Sequence, residues 1–513
     1  MSDAEKPLPE RLSAEDVRDE LQHHAHLLMA LAENALLVAE SMRDNYFKNT
    51  AAFVRHLRLA MQEAEQGRRP DTPLAVHDVS GLSWSEVQNE VVTFIDGGVG
   101  QVQVSSRMPI LLRVGSYMVR TGERRIAERE RFGFYPVILG DLEGGNKERD
   151  DFAALVRMTA EILGGLSALE RTPDLRVLMF HGPLVNLAGT SSTTGAFPGY
   201  AGHAPFTERD IDLFLRRYVP SPDLGRQIKE EFLRRAYLGL YPAMTDRSEA
   251  WVERRLFEPL AWLAYLYRRM LDVAARRGPR PIIAGVVERG GLREFSERVV
   301  LDRVYRGLRE KGHADYFNRL FGRSDLTSPA ALLNRLGYND GLLLAMLLRP
   351  GQVTEPWPMR KYDALHSADI ALPGEAGTGR VNYAPLRTEP FGFPRVHGCY
   401  VHVSERTEPV RVEVFPDLGP EQAIEAARRT YLYARLLPGY GFPIGLDIAD
   451  KHAHVPRWMT DAYGKLIRFQ LGVSLQNGDI GDAEMRRILV QAIYMTNRDW
   501  LFRPDPLSRH AHE

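Results

Sequence analysis

A single cysteine, Cys399, in 513 residues excludes an intrachain disulfide and any zinc site built from several thiolates, and it fits a reducing compartment. Net charge is nearly absent as well. The 66 Lys plus Arg against 67 Asp plus Glu leave a formal charge of -1, so no global field draws in a polyanion. Contact with nucleic acid must then come from a local basic patch or from a partner. No uninterrupted apolar run reaches membrane-spanning length, and runs such as 342–348, LLLAMLL, are too short. The charged start, MSDAEKPLPERLSAEDVRDEL, lacks the apolar stretch of a signal peptide, so the expected location is cytoplasmic with no membrane association. Also missing are a nucleophile-elbow GxSxG, an HExxH and a dinucleotide fingerprint. The stretch 191–195, SSTTG, lacks the GxxxxGK[ST] spacing of a phosphate loop. No internal repeat is present, which excludes solenoids.

What is present is ordinary for a folded globular protein: 44% hydrophobic and 26% charged residues. The length allows one large domain with additions, or two domains. Residues 13–66 read as one or two long helices, with Ser13 and Asp16 forming a capping-box-like start and Leu21, Leu28, Leu31, Leu36 and Val38 at helical spacing. His23 and His26 share a face of that helix, but without a third ligand a solvated face is the better reading. The breaker-rich GRRPDTP at 67–73 marks a first boundary. From residue 90 the pattern turns to strands, VVTFID, VQVSS and ILLRVGSYMV. A helix follows at about 151–170 and a strand at 176–180. Residues 207–276 are largely helical, strands resume at 281–287, 399–403 and 410–415, and helices return at about 421–437 and 482–496. This order predicts an α/β protein with a mixed sheet covered by helices. The Gly- and Pro-rich segment 360–395 reads as a long loop.

Four places carry candidate chemistry. Asp96 ends an apolar strand and is followed by two glycines, VVTFIDGGVG at 91–100. That arrangement holds a carboxylate on rigid backbone at a sheet edge and lets a ligand or a second chain approach closely, although a DG hairpin turn has the same letters. Glu161 flanks the apolar stripe of Leu155, Met158, Ile162 and Leu166, so its carboxylate either reaches the sheet or faces water. His181 repeats the Asp96 pattern in VLMFHGPLVN at 177–186. Two such strand ends in one sheet can bring their side chains together, as carboxylates do when they hold Mg²⁺ or Mn²⁺ for phosphodiester cleavage. In GYGFPIGLDIADKHAHV at 439–455, Asp447, Asp450, His452 and His454 cluster beside Lys451. On a strand His452 and His454 would share a side; on a helix Asp450 and His454 would. Asp340, before GLLLAMLL, reads as a helix N-cap.

Taken in order, IDGG, the Glu161 helix, HGPLVN, IAGVVERGG, DGLLLAMLLRPGQ and YGFPIGLDIADKHA resemble the NurA nuclease family over roughly 90–457. The resemblance implies an RNase H-like fold, Mn²⁺- or Mg²⁺-dependent cleavage of DNA, a homodimer and association with a HerA-type hexameric ATP-driven DNA translocase, in DNA end processing or anti-phage defence. It divides the chain into an N-terminal helical region (1–75), a first core part (76–206), a helical layer or insertion (207–277), a second core part (278–460) and a C-terminal helix and tail (461–513). Asp96 matches the family's first catalytic Asp and Glu161 its helix-borne Glu. Three positions depart from the pattern. The second strand ends in His181-Gly182 instead of Asp-Gly, the late motif reads Ala449-Asp450-Lys451 where a His is usual, and Glu288, followed by Arg289, replaces a basic residue. These departures imply an exchange in which Asp96, Glu161 and Asp450 are metal carboxylates and His181 is an imidazole ligand or water-orienting group. Lys451, Arg289 and His452 are the candidates for contact with DNA. The rival readings are a NurA-like scaffold that binds motor and DNA without cutting, and a hydrolase of small phosphoesters.

Overall fold

The computed structural model describes residues 25–66, 73–102, 110–134, 136–139, 146–185, 206, 208–239, 259–360, 369–372, 382–385 and 392–495. The chain divides into two compact units, Met1–Leu74 with Phe295–Asn339, and Ala75–Glu294 with Asp340–Glu513.

The first unit is helical. Helices Ala25–Ser41 and Lys48–Glu65 are joined through a π-helical turn, Met42–Phe47, and are followed in this unit by helices Asp302–Glu310, Tyr316–Phe321 and Pro329–Leu336. Phe53 meets Phe317 edge-on at 5.6 Å in its core. Helix Pro329–Leu336 shows its punctuation in the sequence: Ser328 Oγ accepts from the Ala331 N–H at 3.3 Å, and Gly337 at φ +71° ends it. The helices in 302–336 are an addition to the sequence reading, which assigned no element there. Ser13, Asp16, Leu21 and His23 lie outside the described residues, while His26 is exposed.

The second unit is built on an eleven-stranded mixed sheet. Its strands are β1 (Val76–Asp78), β2 (Val91–Gln101), β3 (Ile110–Arg120), β4 (Glu130–Phe134), β5 (Val137–Leu139), β6 (Leu175–His181), β7 (Ile282–Val287), β8 (Gln352–Thr354), β9 (Trp357–Pro358), β12 (His397–Val401) and β13 (Val410–Val414). A separate hairpin pairs β10 (Asp369–Leu372) with β11 (Asn382–Pro385). These two strands fall inside the segment expected to be a loop, most of which lies outside the described residues. So does most of VQVSS, as does SSTTG.

The order β4-β3-β2-β6-β7 positions the site. β2, β3 and β4 pair antiparallel, whereas β6 joins β2, and β7 joins β6, in parallel. Three antiparallel strands followed by two parallel ones is the arrangement of an RNase H-like core. The parallel pairs require crossovers: helix α1 (Asn146–Arg171) precedes β6, and among the described residues three helices, Glu208–Tyr218, Pro222–Gly239 and α2 (Pro259–Ala275), precede β7. Later helices among the described residues are α3 (Gln422–Ala434), α4 (Ile444–Ala453), α5 (Arg457–Gln476) and Ala483–Met495. Strand alternation sends Val92, Phe94, Val177, Met179, Ala284, Val286, Val412 and Val414 to the face under α3 and α4, where they form one apolar core with Ala426, Leu432, Leu446 and Ala449. Ile95, Leu178 and Phe180 point to the other face, where α1 packs through Gly164 and Gly165. No helix of the described residues is long and apolar enough to cross a membrane.

Two sequence expectations change. β2 does not end at Asp96 but runs on through both glycines to Gln101, paired with β3 throughout, so the DGG is strand interior and not a turn. Asp340 is the first residue of helix Asp340–Leu347 and fully buried, and its Oδ2 accepts the Tyr400 hydroxyl at 2.9 Å; its carboxylate serves the interior of the sheet.

Candidate metal centre

The parallel register of β2 and β6 pairs Ile95 with Phe180, so the next residues, Asp96 and His181, are neighbours on the face toward α4. His181 Nδ1 lies 2.9 Å from Asp96 Oδ2, with Asp96 7% and His181 26% exposed. Asp96 Oδ1 accepts the Gly97 N–H at 2.8 Å, which fixes the carboxylate on its own backbone.

Glycine brings the other elements in. A Cβ at Gly98 would collide with the Ala453 carbonyl, and one at Gly115 with the Ala449 carbonyl; without them α4 lies directly on β2 and β3. That contact delivers Asp450 from α4. One ligand atom each from Asp96, His181 and Asp450 lies within 4.8 Å of the others, a set able to hold a metal ion. On the opposite face the missing side chain of Gly97 is replaced by Glu161 of α1, which packs there beside Arg157. Arg157 Nη1 donates to Glu161 Oε1 at 3.0 Å. The two glycines of DGG thus admit two different neighbours, one on each face of the sheet.

The electrostatics of the cluster are those of crowded acids. Glu161 is pushed up to about 7, by burial first; Arg157 lowers it, while the charge of Asp96 raises it further. Asp450 is raised by partial desolvation and by its hydrogen bond and like charge with Asp96. Burial opposes protonation of His181, yet the hydrogen bond and charge of Asp96, with Asp450 and Asp447 behind, hold its pKa above the ordinary value.

Of the residues singled out from the sequence, Asp96, His181 and Asp450 come together and Glu161 stands beside them. Lys451 is exposed, as is Arg289, whose side chain is 85% exposed beside Glu288 at 3.7 Å. His452 points elsewhere: its ring packs on Phe132 at 5.2 Å. The HAH segment is the end of a helix, not a strand, because α4 runs to Ala453 and His454 caps it. Asp447, one helical turn before Asp450 and part of the polar cluster read from the sequence, belongs to the neighbourhood although it was not among the expected metal ligands. Its Oδ2 is buried without a hydrogen-bond partner among the described residues, and Tyr440 is raised to about 12 by desolvation and by its bond to Asp447. The spacing of three in a helix was the available signal.

An RNase H-like core that gathers two carboxylates and an imidazole from β2, β6 and α4 has the donor set of a candidate divalent-metal site. Residues 90–455 match the NurA domain, and the chain belongs to that family. No curated protein matches the chain. Similar solved structures include the NurA nuclease from Sulfolobus solfataricus, 11% identical over 86% of this chain and 98% of that one with a TM-score of 0.41. Another NurA is 10% identical over 80% and 93% with a TM-score of 0.34, and a NurA with manganese is 10% identical over 71% and 86% with a TM-score of 0.32. Membership rests on the match over 90–455.

Proposed function

We propose that this chain is a metal-dependent DNA nuclease, a phosphodiester hydrolase that takes Mn²⁺ or Mg²⁺ at Asp96, His181 and Asp450. The observation that carries the reading is the convergence of those three ligand atoms within 4.8 Å from β2, β6 and α4. The donor set fits a divalent ion that accepts oxygen and nitrogen together, and the imidazole favours Mn²⁺ over Mg²⁺. A cation there would also relieve the repulsion from Asp96 that raises Asp450 and Glu161. Once bound, the ion would supply Lewis-acid polarisation of the phosphate and a more acidic water.

The protein's own groups do the rest. Asp96 is held rigid by the Gly97 N–H, Arg157 orients Glu161, and His181 is oriented by Asp96. Arg289 and Lys451, both exposed, are the side chains available for DNA phosphates, with His452 beside Phe132 a further candidate. The family resemblance extends the reading to a homodimer working in the cytoplasm with a HerA-like hexameric translocase, in DNA end processing or defence against phage DNA. The net charge of -1 agrees with a partner that grips the duplex.

The departures at His181 and Glu288 favour the rival reading, a scaffold that binds motor and DNA without cutting. Linear DNA incubated with Mn²⁺, with and without a HerA-type motor, separates the two. The nuclease reading expects cleavage that Asp96→Ala abolishes. Intact DNA under every condition would overturn it.

A further inference from the structure

We propose that Glu413 is a positioning residue for the metal centre, acting on the far face of the sheet from it. It fixes the loop that follows β6 and thereby holds His181 against Asp96. The inference rests on the reading of Asp96, His181 and Asp450 as metal ligands.

Gly182, at φ +94°, turns the chain out of β6, and its N–H donates to the Val286 carbonyl at 2.7 Å. Two residues later the backbone of Leu184 lies directly on Gly285, where a Cβ would collide with the Leu184 nitrogen. The antiparallel pairing of β13 with β7 sets Glu413 opposite that same glycine. With no side chain at Gly285, the Glu413 carboxylate reaches over it and its Oε2 accepts the Leu184 N–H at 2.9 Å. From the other side Tyr267 of α2 donates its hydroxyl to the Leu184 carbonyl at 2.8 Å. Both backbone groups of Leu184 are therefore held by buried side chains, three residues from His181.

Glu413 is itself held. Its Oε1 accepts Arg411 Nε at 2.9 Å, with the Arg411 and Glu413 side chains 6% and 0% exposed. Tyr400, opposite Arg411 on β12, shares a hydrogen bond with it and donates to Asp340. A buried ion pair is a poor source of stability, since apolar residues of similar size often serve as well or better. What such a pair does supply is a fixed direction. Here that direction ends on the loop carrying His181, and partners of this kind orient a metal ligand and tune its affinity.

The test is the Mn²⁺ dissociation constant, measured by electron paramagnetic resonance alongside thermal melting, for the full chain and four variants. Arg411→Met with Glu413→Leu replaces the pair by apolar groups; it should fold, yet bind Mn²⁺ on the order of 10–100-fold more weakly. Glu413→Gln keeps an acceptor for the Leu184 N–H and should restore most of the affinity. Tyr267→Phe removes a single bond from Leu184, should weaken binding by a smaller factor, and keeps the test open if the double variant does not fold. Asp96→Asn is the control that should lose the site. Folded double and Tyr267→Phe variants that bind Mn²⁺ as the parent does would overturn the role of Glu413 alone. A parent chain that binds Mn²⁺ no better than Asp96→Asn would instead overturn the metal-ligand reading beneath it.

Discussion

Under α3 and α4 the sheet buries Val92, Phe94, Met179, Ala284 and Val412, nearly all hydrocarbon, whereas its other face, besides Ile95 and Phe180, buries Arg411, Glu413 and Tyr400 and seats the Arg157–Glu161 pair. Both faces are covered by helices, so the difference is not one of exposure. Apolar packing is non-directional and scales with area, which suits the face that gives cohesion. Buried hydrogen bonds and ion pairs add little net stability but are costly to leave half made. They suit the face that must fix where two strand ends point. The proposed metal centre lies where the two meet, with Asp96, His181 and Asp450 reached from the apolar side and Glu161 from the polar side.

Substitutions break that comparison at graded strengths. Asp96→Asn removes a ligand and keeps the strand, so Mn²⁺-dependent cleavage of linear DNA should fall to background while the melting temperature without metal holds; retained cleavage would remove Asp96 from the centre. Leu432→Ala, on the apolar face, should cost about 2–5 kcal/mol in urea unfolding and leave Mn²⁺ affinity of the folded protein intact. Weaker metal binding there would mean that cohesion and geometry are not divided between the faces. Gly98→Ala pushes a methyl into the Ala453 carbonyl and should cost about 1–3 kcal/mol. Unlike Leu432→Ala, it should also weaken Mn²⁺ binding, since α4 carries Asp450. At the bottom of the scale, Arg487→Ala breaks an exposed pair with Glu484, 65% and 62% exposed, and should change stability by less than about 1 kcal/mol and metal binding not at all.

The residues brought together at the centre were legible in the sequence because each sits in a local pattern: an apolar run meeting a polar residue and glycine for Asp96 and His181, and a dense polar run for Asp450. The second-face network was not. VRVEV at 410–414 alternates as a half-exposed strand would, yet all five residues are buried, because helices cover both faces and the alternation separates two interiors. No local pattern states that Glu413 lies opposite Gly285 or that its carboxylate holds the backbone of Leu184, 229 positions earlier. The glycines misled in the same way. In DGG they read as a turn or a route for an outside ligand, but their missing side chains make room for Glu161 and α4, which only the tertiary arrangement reveals.

The central claim is that Asp96, His181 and Asp450 hold one ion between β2, β6 and α4. The direct measurement is a crystal structure of the chain soaked in Mn²⁺, read by anomalous scattering. The account predicts a peak in contact with all three side chains and with Glu161 at its edge. A peak bound elsewhere, or none at a Mn²⁺ concentration that supports cleavage, would contradict it.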